Sequence, residues 1–293
     1  MTSRLAVASG ASAAIIVGAS VPVTGMLQDY PLLTGQAMRY ALSGLVLLAW
    51  TYARGQRPVP PKLGDLPALL ALVAFGMLGF NAAVLHAQLY AEPGFVAAML
   101  GGTPVVLALA GRKRSAVTVA GAGIVALGVV VLSGGGAWRG PGLLLAALAL
   151  AGEVAFTLFA IGVVRRLGGV AVATWTCLIA GAVGAVAGTF AGGWQVPTPR
   201  EVLALVVLAI VLTAVAFGLW YFAVGRLGAD RAGILIGLMP ISGLVVSVLL
   251  GAQDFKPLGV VGAAVVAVGC VVGLSSGRAR PRASTVGQPV PAP

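Results

Sequence analysis

The stretch from Thr213 to Gly251 limits what this chain can become. Two long apolar runs flank one short charged turn, Gly225-Arg226-Leu227-Gly228-Ala229-Asp230-Arg231. Each run is close to about 20 residues, which as a helix spans roughly 30 Å, the thickness of a bilayer's hydrocarbon core. The rest of the chain has the same character: 59% of residues are hydrophobic and only 9% are charged. Soluble domains carry about 25% charged residues, so there is too little polar surface here to coat a soluble globule. The reading is an all-α integral membrane protein. The net charge of +11 does not point to nucleic acid, because the basic residues are scattered over many short loops and a nucleic-acid footprint needs one stripe or patch. Cys177 and Cys270 both lie inside apolar runs and read as small buried hydrophobes, not as a disulfide or a metal pair.

Hydropathy places ten spans, at Leu5–Leu27, Leu32–Tyr52, Leu66–Tyr90, Gly94–Ala110, Ala116–Leu132, Gly142–Val164, Val170–Gly192, Val202–Val224, Ala232–Leu250 and Leu258–Leu274. The first has a competing reading as a signal peptide, since Arg4 precedes a run rich in Ala and Ser. Its loss would leave nine helices. The loops alternate in charge. One set holds Arg4, then Arg54, Arg57 and Lys62, then Arg112, Lys113 and Arg114. The same set continues with Arg165 and Arg166, Arg226 and Arg231, and Arg278, Arg280 and Arg282. The other holds only Arg139, Arg200 and Lys256, and Arg39 lies inside the second span. Lys and Arg stay on the cytoplasmic side. Both termini are therefore expected in the cytoplasm, and the protein in the cell (inner) membrane as a multi-pass chain whose surroundings are the lipid bilayer.

The pattern also repeats. Aligning Pro104 with Pro240 superposes Gly101 on Gly237 and the Glu92 turn on the Asp230 turn. Gly121 and Gly128 are spaced like Gly262 and Gly269. The repeat is five helices long, and an odd number inverts the second copy in the membrane, a known transporter plan. The expected units are a first repeat over residues 1–134, a second over 139–274, and a disordered cytoplasmic tail over 275–293, which is polar, basic and Pro-rich.

On these residues the chain resembles the EamA-like members of the drug/metabolite transporter superfamily, ten-helix permeases. The likeness is carried by Arg39 and Tyr40, by Thr213 to Tyr221 with Arg226, by Pro104 and Pro240, and by the glycines of the fifth and tenth spans. It departs from the family after the fourth and ninth helices, where a Leu-Gly-Glu is common. Here those places read Ala110-Gly111-Arg112 and Leu250-Gly251-Ala252. The resemblance implies transport, with export favoured over import, and leaves the cargo open among metabolites, amino acids and drugs.

Glu153 is the sharpest candidate site residue. It sits at the centre of the sixth span, where an ionised acid costs about 2.5–3.5 kcal/mol on insertion scales. The cost falls if it faces a wet cavity, meets a cation or stays protonated, so substrate binding and proton coupling are both open to it; the bland alternative is a neutral acid bonded to a neighbouring helix. Asn81, His86 and Gln88 follow in the third span. His86 is the only histidine, with no ligand-spaced partner, so no metal site is expected. Phe217, Trp220 and Tyr221 in the eighth span and Trp175 in the seventh could stack on a substrate or simply pack. Pro22, Pro104 and Pro240 free backbone carbonyls and are candidate hinges or cavity walls. Arg39 can snorkel to the outer interface or pair with Asp29 or Glu92; the resemblance, in which Arg is common here, favours a structural ion pair. The glycines of the first, fifth and tenth spans read as close helix contacts, with a homodimer as a second use.

These residues point to a secondary transporter of small metabolites, such as amino acids or drug-like compounds, working by alternating access. A cavity on the order of a few hundred Å³ near Glu153 and Trp220 would suit such cargo. There is no GxxxxGK[ST] signature and no cofactor is expected, so energy would come from gradients, exchange or facilitation. Two alternatives remain: a structural or assembly protein with a sealed interior, and an intramembrane enzyme, which would need Glu153, His86 and Arg39 to converge.

Overall fold

The computed structural model describes residues 2–110, 116–133, 138–191, 193–227 and 235–275. Every regular element among them is helical. The one extended contact is an isolated bridge between Ala91 and Trp138. Among the described residues six helices are long and apolar enough to cross a membrane: Arg4–Gly25 (within α1, Thr2–Gly25), Leu32–Ala53 (α2), Leu63–Ala87 (α3), Gly142–Leu167 (α6), Gly169–Ala191 (α7) and Pro199–Ala223 (α8, continuing to Leu227). Shorter apolar helices lie between and after them. These are α4, Pro93–Leu100 continued by Thr103–Ala110; α5, Ala116–Ser133; α9, Ile236–Leu249; and α10, Pro257–Ser275. Helix α10 thus runs one residue beyond the expected end of the last span. The rest of the expected tail, and the turns carrying Arg112 to Arg114 and Asp230 to Arg231, lie outside the described residues.

Local chemistry explains where several helices begin. Thr198 and Glu201 cap α8 reciprocally: the Thr198 N–H donates to Glu201 Oε2 at 2.6 Å, and Pro199 occupies the first helical position, where no N–H is needed. Asp65 opens α3 by accepting the Lys62 N–H at 2.8 Å.

Four helices are interrupted rather than smooth. Helix α3 widens to π geometry over Leu72–Gly79, and α8 does the same over Ile210–Val215. Such bulges recur at functional sites, because the extra residue re-aims the side chains beyond it. Helix α4 breaks at Gly101 and Gly102, and α9 opens with a tight turn over Ile236–Leu238. At the α4 break the Gly101 carbonyl accepts from the Cys270 thiol at 2.6 Å. Both cysteines are buried and free.

Glycine sets the close helix contacts. A Cβ on Gly121 would fall on Gly273 and one on Gly128 would meet Val266, so α5 and α10 touch backbone to backbone. Gly181, Gly184 and Gly188 of α7 meet Ala41, Ala37 and Thr34 of α2 in the same way. The glycines of α5 and α10 are therefore used within the chain. One buried core forms around Phe95, Val96, Leu132 and Val266, and another around Leu69, Leu72, Met77 and Cys177. Apolar side chains such as Leu144, Val186, Phe190 and Leu249 face outward, as a lipid-facing surface requires. Trp50, Trp138 and Trp194 sit partly exposed at or just beyond helix ends, where amphipathic rings anchor at the membrane interface.

Candidate functional site: a central cavity with two ionisable walls

A cavity of about 70 Å³ lies in the middle of the helices. Helix α1 contributes Ala13, Val17 and Ser20; α2 contributes Arg39 and Tyr40; α3 contributes Met77, Phe80 and Asn81. The other wall is Glu153 and Phe156 of α6, Phe217 and Trp220 of α8, and Met239 of α9. The space is smaller than the few hundred Å³ expected from the sequence, because Phe156 and Phe217 close on each other with ring centroids 5.4 Å apart.

Arg39 is the structural centre of the site, and its environment corrects the sequence reading. It does not pair with Asp29 or Glu92, and Glu92 instead binds Lys256. Arg39 Nε donates to Thr213 Oγ1 at 3.0 Å and Nη1 to Asn81 Oδ1 at 2.8 Å, with a longer contact to Gln36 Oε1 at 3.5 Å. All three acceptors are neutral. Hydrogen bonds to a charged group contribute about 1.5–3 kcal/mol each. Two good ones therefore offset an intramembrane cost of about 2.5–3.5 kcal/mol without any carboxylate.

The acceptors are themselves held. Arginine only donates, so Asn81 turns its oxygen to Arg39 and its amide to the Tyr40 hydroxyl and the Met77 carbonyl, both at 2.7 Å. Thr213, inside the α8 bulge, donates to the Leu208 carbonyl at 2.7 Å, and Ser43 of α2 donates to the neighbouring Ala209 carbonyl at 3.0 Å. Side-chain hydroxyls thus satisfy carbonyls at the bulge, and Arg39 ties the two bulged helices together. Glu153 is different: its carboxyl oxygens have no hydrogen-bond or ion-pair partner among the described residues, yet they are not sealed off. Its side chain opens into the cavity.

The other candidates divide. Asn81, Phe217 and Trp220 line the cavity with Glu153. Tyr221 stands behind Phe217, 6.0 Å between rings, with its Cβ pressed on Gly169 and its hydroxyl buried without a partner. Trp175 is not in the cavity: its indole N–H donates to the Val59 carbonyl at 2.8 Å and so pins the loop between α2 and α3. His86 is exposed in a separate, almost wholly apolar groove with Phe75, Leu148 and Phe159, its Nδ1 within 2.8 Å of the Ala82 carbonyl. It therefore does not converge with Glu153 and Arg39. Gln88 crosses to α1 and donates to the Val21 carbonyl at 2.9 Å. With Pro22 it lines a second, open vestibule of about 540 Å³ that also contains Glu92, Arg139 and Arg200. Pro104 lies in the second piece of α4. Pro240 is buried against Gly101 at the α4–α9 contact and closes the fold without lining the cavity. Sequence reasoning did not pick out Phe156, Ser20, Met77 or Phe80. Phe156 had a usable signal: it follows Glu153 by three positions and shares its helix face.

A multi-pass chain, helical throughout its described residues, with Arg39 and Glu153 lining a largely apolar central pocket has the build of a membrane transporter, and similarity to known proteins agrees. A model of the EamA-like transporter family matches residues 140–274. The uncharacterized transporter YetK of Bacillus subtilis (strain 168) is 25% identical over 281 residues, covering 90% of this chain and 83% of that protein. A crystal structure described only as that of a protein shares the fold. It has a TM-score of 0.70 at 21% identity, covering 93% of this chain and 97% of its own.

Proposed function

We propose that this chain is a secondary transporter that carries small metabolites, such as amino acids or small drug-like compounds, by alternating access. The observation that carries the reading is the Glu153 carboxyl, without a partner among the described residues and open into a central cavity walled by helices from both halves of the chain. A midplane cavity between repeats is where a rocking transporter holds its cargo.

The interruptions support two inverted repeats and ten crossings. With Pro104 set on Pro240, the last residue of the α3 bulge, Gly79, falls on the last residue of the α8 bulge, Val215. In the same alignment the α4 break at Gly101 and Gly102 falls on Gly237 and Leu238, in the tight turn of α9. Helices α2 and α7 are each other's partners, as are α5 and α10. Residues 1–134 and 139–274 are then the two rocking units. The basic loop set supports both termini lying in the cytoplasm and the protein lying in the inner membrane. In this frame Glu153 meets a proton or a cationic group, and Trp220 and Phe217 grip the apolar part of the cargo. Any homodimer must use surfaces other than the α5–α10 glycines.

Counterflow into proteoliposomes with a pooled panel of labelled amino acids and small metabolites tests the reading, with Glu153→Gln alongside. Accumulation that the substitution abolishes, or whose pH dependence it changes, is the expected result. Equal accumulation in both would reduce Glu153 to a packing role. Silence across a broad panel would overturn the transport reading.

A further inference from the structure

We propose that Arg39 is a substrate-binding residue, the anchor for a carboxylate, and that Glu153 receives an ammonium or other donor group on the same small molecule. The proposal rests on the transport reading above and names the class of cargo. A guanidinium has five N–H donors. Nε and Nη1 of Arg39 are occupied, but Nη2 makes no hydrogen bond among the described residues and is not sealed from the cavity that Arg39 lines. The arginine is pinned by Asn81 and Thr213, so its free edge is already aimed. It carries a full charge with neutral partners only, in a site walled by Met77, Phe156, Phe217 and Trp220. A carboxylate entering that site would supply the missing counter-charge where water competes least.

Glu153 is the second pole. It lines the same cavity, its carboxyl has no hydrogen-bond or ion-pair partner among the described residues, and it forms no ion pair with Arg39. The two charged groups therefore face a shared space without neutralising each other, an arrangement that fits a molecule with opposite poles. The volume sets the size. At about 10–15 Å³ of probe space per water-sized group, about 70 Å³ admits only a handful of non-hydrogen atoms in this conformation. An amino acid with a very small side chain has that size and polarity.

The test uses full-length protein in detergent, read by ligand-induced thermal stabilisation and by quenching of Trp220 fluorescence, with Trp220→Phe identifying the signal. The probes are L-alanine, L-alaninamide, which lacks the carboxylate, and propionate, which lacks the amine. Alanine should bind, and alaninamide should bind about 10- to 100-fold more weakly, the loss expected for one charge-assisted hydrogen-bond pair. Arg39→Gln should remove the alanine response, and Arg39→Lys should retain part of it because charge survives while the planar fork does not. If Arg39→Gln does not fold, the alanine–alaninamide comparison on the unaltered protein still decides. Equal binding of alanine and alaninamide would overturn the proposal, as would unchanged alanine binding in Arg39→Gln or no response to any of the three probes. Counterflow of another cargo would in each case leave the transport reading standing.

Discussion

Two glycines two residues apart on α5 make a controlled experiment. Gly121 lies against α10 so closely that a Cβ there would fall on the backbone of Gly273, and 2.8 Å from the Gly269 carbonyl oxygen. Backbone atoms cannot rotate aside, so Gly121→Ala must push α5 and α10 apart. Gly123 has nothing within 4 Å of its own hypothetical Cβ. Each Gly→Ala change gains about 1 kcal/mol of helix propensity, and that gain cancels when the two variants are compared. What remains is the overpacking cost at Gly121, about 1–3 kcal/mol. Gly123→Ala should therefore be stabilised by up to about 1 kcal/mol, and Gly121→Ala should fall below it by the overpacking cost. Reversible unfolding in mixed detergent and SDS micelles, followed by helical circular dichroism, measures both. A Gly121→Ala protein as stable as Gly123→Ala would show that α5 and α10 are not packed backbone to backbone.

Other outcomes follow from the same geometry. Thr213→Val removes the acceptor for Arg39 Nε and the donor to the Leu208 carbonyl, and should cost about 1–3 kcal/mol in the same unfolding assay. Thr198→Ala removes one side of the α8 capping box and should cost about 1 kcal/mol. The Lys256–Glu92 pair is partly exposed, so Lys256→Gln should cost no more than about 1 kcal/mol, with the loss shrinking as salt is raised.

The membrane class was legible because composition alone decides it: a chain this poor in charge cannot be coated for water. Glu153 was legible for the same physical reason, since depth in an apolar run is a one-dimensional property. Asn81, Phe217 and Trp220 could be nominated from their positions, but not grouped, because that depends on how α3 and α8 are rotated. The π-helical segments set that rotation, and local sequence does not announce a π turn. Arg39 was misjudged because a charge in a membrane suggests an opposite charge, whereas here aligned neutral oxygens suffice. His86 and Trp175 show the converse limit. Both are chemically attractive residues, and helix phase sends one to an outer groove and the other to a loop carbonyl.

Each widened turn in α3 and α8 has a consequence for how the chain tolerates insertion and deletion. A residue added to or removed from a regular helix shifts everything beyond it by about 100°. Deleting one residue within 210–215 could restore an unbroken α8 of nearly the same length and hydropathy, still able to enter a bilayer. The wide turn already absorbs the extra residue, so this deletion would leave Phe217 and Trp220 on the cavity wall beside Glu153. Phase, not apolarity, is what the bulge preserves: a residue lost within it is absorbed, whereas one lost from the regular turn just beyond it would leave a chain that inserts normally with Trp220 turned off the binding wall.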